Sequence, residues 1–396
     1  MRSSEEMKQT STIDQSTYWM SIVILLSVFS QIETIDRLVR PLMYLAWIAI
    51  LGVLFARNDF SIFLSRPTSV YLACFLFFSG IQVLVFGFEQ THLNGNYFRI
   101  IRIPLLVSLV AELYRPYCDR TNFQTIVRVY ILCSLIYALW VNFTYFPSYN
   151  AWLSQRIYTF ELKNSAAQIW SVAIFLLLFG VDYKSKTSRL LGYGIAAYLF
   201  IISALSQCRT ALLALVFAAA LIILRFSQRR MTFVACFFVL FLVLWNIPLT
   251  RGFIEQALFL NKYEGADLNT FSSGRLGYWG NALTVFSQHL ILGEGKYYVD
   301  CSYILILAEA GLVGFFLIEP IWFSRAMTNI RFSGEKRLRM LLFGMTMFYV
   351  VTSALEGYPP FGPGVSSFMF WFVSVLLTED SGIPTEMNNR RMNQMY

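Results

Sequence analysis

Charge is what this chain has least of: Asp, Glu, Lys and Arg make up 14% of it and histidine occurs twice, while hydrophobic residues reach 57%. That balance excludes a water-soluble globular domain. The six cysteines (Cys74, Cys118, Cys133, Cys208, Cys236, Cys301) are scattered without a CxxC or a metal-ligand spacing. They read as small apolar residues, with no disulfide framework expected. No HExxH occurs, and no glycine-rich phosphate loop follows a strand and opens a helix, so no metal or nucleotide cofactor is expected. Fixed-period repeats and low-complexity tracts are lacking too. The first seventeen residues are polar, and the apolar run from Tyr18 is not followed by a small-residue cleavage site, so that run is expected to be a retained first span.

What is present is apolar sequence in lengths near the ~20 residues that cross a bilayer, with a mean hydropathy of +0.57. The expected fold is an all-α polytopic membrane protein, one domain over 1–396. About twelve spans fall near 18–32, 39–56, 68–88, 97–113, 123–145, 166–183, 189–205, 209–226, 231–249, 298–323, 338–356 and 361–378. With the N-terminus inside, about twenty of the 31 basic residues fall on the inner side, which places both termini in the cytoplasm. The net charge of +8 then reflects topology, and nucleic acid is not an expected partner. The connection 250–297 is long enough to carry structure of its own, and FIEQALFL (253–260) and GYWGNALTVFSQHLIL (277–292) place apolar residues at helical intervals. Helices lying at the membrane surface or capping a cavity are expected there, and a cytoplasmic tail over 379–396.

On this topology the outer face collects Arg99, Arg102, Arg156, Arg209, Arg275, Asp300, Glu356, His92 and His289. The positive-inside rule predicts few arginines on that face. In RIIR, Arg99 and Arg102 share the first turn of a helix: they suit a diphosphate, and equally an interfacial anchor. SQCRTALLAL sets Arg209 at the head of a helix, where free amides and the helix dipole add to its charge; a salt bridge or an anchor is the alternative. FSSGR (271–275) is a hydroxyl-rich turn in which Gly274 permits close backbone approach, Ser272 or Ser273 is a helix cap, and Arg275 opens the amphipathic helix. Ser273, Arg156, His289 and Glu356, the last in the Pro/Gly-rich ALEGYPPFGPG, are further candidates to line a substrate cavity.

YYVDCSYILILAEAGLVG (297–314) holds two acids in an apolar run. Nine residues separate Asp300 from Glu309, so in a straight helix they face opposite sides about 13 Å apart and are not a paired acid and base. Asp300 belongs at the outer surface, as a general base or substrate orienter. Glu309 belongs in the bundle interior, partnered or protonated, with Gly311 and Gly314 letting a neighbouring helix approach.

The helix-head SQCR, the loop SSGR, and LGEGKYYVDCSYILILAEAGLVG running into the next span, within about twelve spans and a large late outer loop, together resemble the O-antigen ligase and polymerase superfamily. The resemblance implies a GT-C-like membrane glycosyltransferase acting at the periplasmic face of the bacterial inner membrane. The donor would be an undecaprenyl-diphosphate-linked oligosaccharide, attacked with inversion by a sugar hydroxyl without a metal or other cofactor. Arg275 and Arg209 would hold the diphosphate. A chain-length regulator and a flippase are the implied partners, beside membrane lipid. Ligases of the superfamily carry a histidine eleven residues before the first glycine of GxxG; here Asp300 stands in that position. That departure favours a polymerase joining repeat units over a ligase transferring finished glycan to lipid A core. A flippase is the third reading.

Overall fold

The structure, a computed structural model, describes residues 15–57, 67–87, 96–146, 148, 160, 162–258, 267–357, 359–362 and 366–378. Every regular element among them is helical. In chain order these are α1 (Gln15–Phe29), α2 (Asp36–Arg57), α3 (Pro67–Phe86), α4 (Asn96–Tyr114) and α5 (Arg120–Tyr145). Then come α6 (Lys163–Phe175, closed by a π turn over Leu176–Gly180), α7 (Lys186–Leu205), α8 (Arg209–Phe226) and α9 (Arg230–Asn246). Three short helices follow, α10 (Pro248–Leu258), α11 (Leu268–Phe271) and α12 (Arg275–Gln288), and three that close the bundle, α13 (Ser302–Arg331), α14 (Lys336–Leu355) and α15 (Phe368–Thr378).

Eight of these, α2, α3, α5 to α8, α13 and α14, are long and apolar enough to cross a membrane, and α1 and α15 are shorter apolar helices. The chain is a polytopic helical membrane protein. Leu84, Phe77, Phe143 and Leu190 stand exposed on the outside of the bundle, where lipid, not water, satisfies them. Polar residues mark the helix starts. Asp119 accepts from Asn122 N at 2.6 Å to cap α5, and Ser185 and Ser188 form a reciprocal box at the head of α7.

The core is organised around α15, whose residues 368–377 are all buried. A helix apolar on every side belongs in the middle of a bundle. Its rings reach five neighbours. Phe368 meets Trp47 of α2 and Tyr130 of α5, Phe370 meets Trp322 of α13 and Tyr349 of α14, and Phe372 stacks on Tyr114 of α4. Elsewhere α8 packs along α14, α1 along α5, and α12 along α13.

The run expected to cross as one helix over 298–323 does not do so. Gly311 has φ +64° and ψ −167°, which breaks α13 into two arms. Tyr303 stacks on Phe323 at 6.1 Å, although twenty residues of straight helix would separate them by about 30 Å, so the arms fold back on each other. The long straight arm lies after the break. The approach permitted by Gly311 is also made by a different element, the segment that follows α12. Glu294 N donates to Ala308 O, Gly295 N to Glu309 O, Leu312 N to Leu290 O and Val313 N to Ile291 O, all between 2.8 and 3.2 Å. A Cβ on Gly311 would land on the Ile291 carbonyl, and one on Gly293 would lie 2.5 Å from Glu309 O. Glu309 is fully buried beside this tie.

Candidate functional site

Two arginines reach one place from two separate elements. Arg209 is the first residue of α8, and no side chain caps that helix. Arg275 is the first residue of α12, entered through Ser273 (φ +60°) and Gly274 (φ +82°). Gln207, just ahead of Arg209, has φ +54°. Gln207 and Ser273 are the non-glycine residues with positive φ among the described residues, and each lies two positions before one of these arginines. Backbone strain of this kind persists where surrounding structure holds it for a purpose. The start of α12 is capped by two side chains: Ser272 Oγ accepts from Leu276 N at 3.4 Å, as expected of a serine cap, and Asn269 Oδ1 accepts from Gly277 N at 2.9 Å, while Ser272 Oγ donates to Asn269 O. Ser273 Oγ accepts from Arg209 Nη2 at 2.7 Å, joining the two motifs.

Arg275 sits between two carboxylates. Its Nη2 is 3.1 Å from Glu356 Oε1, and its Nε is 3.5 Å from Asp300 Oδ2, without a hydrogen bond to Nε among the described residues. Glu356 caps the far end of α14 and is only 12% exposed. Its Oε2 accepts from Asn164 Nδ2 at 3.1 Å, Thr210 adds a further hydrogen bond, and Lys163 stands near. Burial pushes the Glu356 carboxyl up from its ordinary value, with Arg275 opposing. Asn164 is itself oriented by Cys208, whose Sγ donates to Oδ1 at 3.2 Å; burial pushes that thiol up to about 12, so it stays a donor. Arg275 is thus flanked by two carboxylates, with Lys163 near Glu356 and Arg209 joined to the same turn through Ser273.

Asp300 arrives on the segment just before α13. Gly357 makes room for it: a Cβ there would lie 2.5 Å from Val299 O and 3.2 Å from the Tyr298 ring. Tyr298 Oη donates to Asp300 Oδ1 at 2.7 Å, and Trp279 Nε1 donates to Asp300 O at 2.8 Å. A cavity of about 250 Å³ lies against Arg209, Thr210, Ser272, Arg275 and Trp279. Next to it runs a wholly apolar groove of about 490 Å³ formed by α7, α8, α9 and α10. Leu213 and Leu258 line both.

Of the residues singled out from sequence, Arg209, Ser273, Arg275, Asp300 and Glu356 converge here. His289 does not. It ends α12, about 20 Å along the axis from Arg275, and pairs with Glu294 at 2.7 Å. Arg99 and Arg102 lie on the first two turns of α4, with side chains outside the described residues, as are Arg156, His92, the stretch 259–266 and the tail 379–396. Asn164, Cys208, Thr210, Trp279 and Tyr298 were not legible as site residues, because an uncharged side chain, even one beside Arg209 or Asp300, carries no signal of its own against an apolar background. Among the described residues no group of three His, Cys, Asp or Glu side chains is placed to hold a metal ion. Compared with known proteins, the chain matches no family model and no curated protein.

Proposed function

We propose that this chain is a glycosyltransferase that joins undecaprenyl-diphosphate-linked oligosaccharide repeat units into a surface polysaccharide, an O-antigen-type polymerase working at the periplasmic face of the inner membrane. The observation that carries the reading is the pair of joined cavities, one edged by two arginines and the other entirely apolar, meeting at Leu213 and Leu258. An anion carried on a long hydrocarbon chain has that shape and polarity. The about twelve spans, both termini in the cytoplasm and the loop 250–297 outside belong to the same proposal.

In the reaction, the acceptor hydroxyl attacks the anomeric carbon from the face opposite the diphosphate, and the carbon–oxygen bond to phosphate breaks with its electron pair. Arg275 and Arg209 meet the charge that builds on the leaving diphosphate. Arg275 exchanges its hold on Glu356 and Asp300 for the phosphate oxygens, and its Nε is a further donor for them. Asp300, the more exposed carboxylate, orients the acceptor hydroxyl and takes its proton. Its place in the ligase histidine position favours polymerase over ligase.

The test is a gel of extracted surface glycan from a deletion strain carrying Arg209→Ala or Arg275→Ala. A polymerase leaves single repeats on the final acceptor and no long chains. A ligase leaves nothing attached, with carrier-linked polymer accumulating. Wild-type ladders in both variants would sink the proposal.

A further inference from the structure

The site holds aromatic groups that diphosphate chemistry does not use. Tyr298 is 48% exposed, yet its hydroxyl is committed to Asp300 Oδ1. Trp279 lines the arginine cavity and commits its indole N–H to the Asp300 carbonyl. The polar tips of both rings therefore point at Asp300, with part of the Tyr298 ring exposed beside it and the Trp279 ring, partly buried against the core, on the cavity wall. The Tyr298 ring is further fixed by its packing over Gly357, next to Glu356. Asp300 itself has spare capacity. A carboxylate offers about four lone-pair sites, of which Tyr298 takes one and Arg275 faces another.

An apolar ring face beside a carboxylate matches a pyranose, which presents C–H bonds on one face and hydroxyls at its rim. A free phosphate, or the hydrocarbon of a lipid, would use only one of these two features. We infer that Tyr298, Trp279 and Asp300 form a subsite for the acceptor sugar, with the ring of the sugar laid on Tyr298 and its hydroxyls on Asp300. This deepens the glycosyl-transfer reading and rests on it. Tyr298 is thereby a specificity-determining residue, and its hydroxyl also positions the Asp300 carboxylate.

Saturation-transfer NMR on the whole protein in phospholipid nanodiscs, free of sugar-headed detergent, tests the subsite with a panel of methyl pyranosides (gluco, galacto, manno, rhamno, fuco and 2-acetamidogluco). At least one receives saturation on its C–H face in the wild type. Tyr298→Ala weakens that binding about tenfold, whereas Tyr298→Phe keeps the ring and stays within about threefold. Binding of geranyl diphosphate, measured in parallel, is unchanged in both variants and weakened in Arg275→Ala. No pyranoside signal in the wild type, or wild-type sugar affinity in Tyr298→Ala, overturns the subsite. An aromatic that merely sits at the membrane interface would give the second result. Failure of geranyl diphosphate to bind the wild type, with the sugar results intact, would instead count against the glycosyl-transfer reading.

Discussion

The bundle carries an arginine–carboxylate cluster at each end, built from the same chemistry with opposite outcomes. At one end Asp182, just after the π turn of α6, accepts from Arg120 Nε at 2.8 Å and from Arg337, and Gln124 clips the turn through Gly180 O and Asp182 N. Burial pushes the Asp182 carboxyl up, but the hydrogen bonds and charges of the two guanidinium groups outweigh it and hold the group below its ordinary value. At the other end one arginine is shared by two carboxylates, burial prevails at Glu356, and a cavity lies alongside. Two cations on one anion make a closed latch between α5, α6 and α14. Around Arg275 the two carboxylates outnumber it, so the positive charge that would draw a further anion into the adjoining space comes from Arg209 on the cavity wall and Lys163 near Glu356. The difference teaches that the count of partners and the adjoining space, more than the ion pairs themselves, separate a fastening from a site.

The sharpest break of this comparison is in activity. Arg275→Ala should lower glycan polymerisation by about a hundredfold or more, while Arg337→Ala should leave it near wild type and lower thermal stability instead, as activity and melting assays on the two variants would show. Next comes Gly357→Ala, whose Cβ would push Val299 O and so misplace Asp300 without touching the latch; an activity loss of about tenfold at unchanged geranyl diphosphate affinity is expected.

Smaller effects sharpen the contrast in stability. The folded Asp182 binds its proton more weakly than the unfolded one, so its contribution is present above the ordinary value of 3.8 and is lost as pH falls through and below it. Asp182→Asn should cost about 1 kcal/mol at pH 7 and flatten the melting temperature's fall in acid, as pH-dependent melting would detect. Glu356 has the opposite sign: its raised value means the charged form is disfavoured in the fold above 4.5. Glu356→Gln keeps an acceptor for Asn164 and leaves Asp300 with Arg275, so its melting temperature at pH 7 should match or exceed wild type, a change within about 0.5 kcal/mol. A drop as large as that of Asp182→Asn would mean that the two ends are alike.

Much of this was legible in the sequence. The hydrophobic runs locate the helices, although eight of them are long and apolar enough to cross and the one expected over 298–323 is broken at Gly311. Arg209 and Arg275, singled out as arginines on the expected outer face, and Asp300, singled out as an acid in an apolar run, are brought close together by the fold. The break at Gly311 was not legible, because a left-handed glycine inside continuous apolar sequence looks like any small residue in a membrane helix. Asn164 and Tyr298 were hidden for another reason: their roles come from contacts across 192 residues in one case and from a bond two residues away in the other, and neither leaves a pattern. His289 shows the converse error. A titratable residue in the right loop can still end up at the wrong end of its helix.

The tie between 290–295 and 308–313 has a consequence for chain entropy. Four backbone hydrogen bonds close the ends of a short loop, and Tyr298 and Asp300 ride inside it. Closing so short a loop removes most of the conformations its middle would otherwise sample, and folding, not substrate, bears that loss. The carboxylate and the ring beside it are therefore arranged in advance, and in the proposed transferase affinity would not be drained by ordering them.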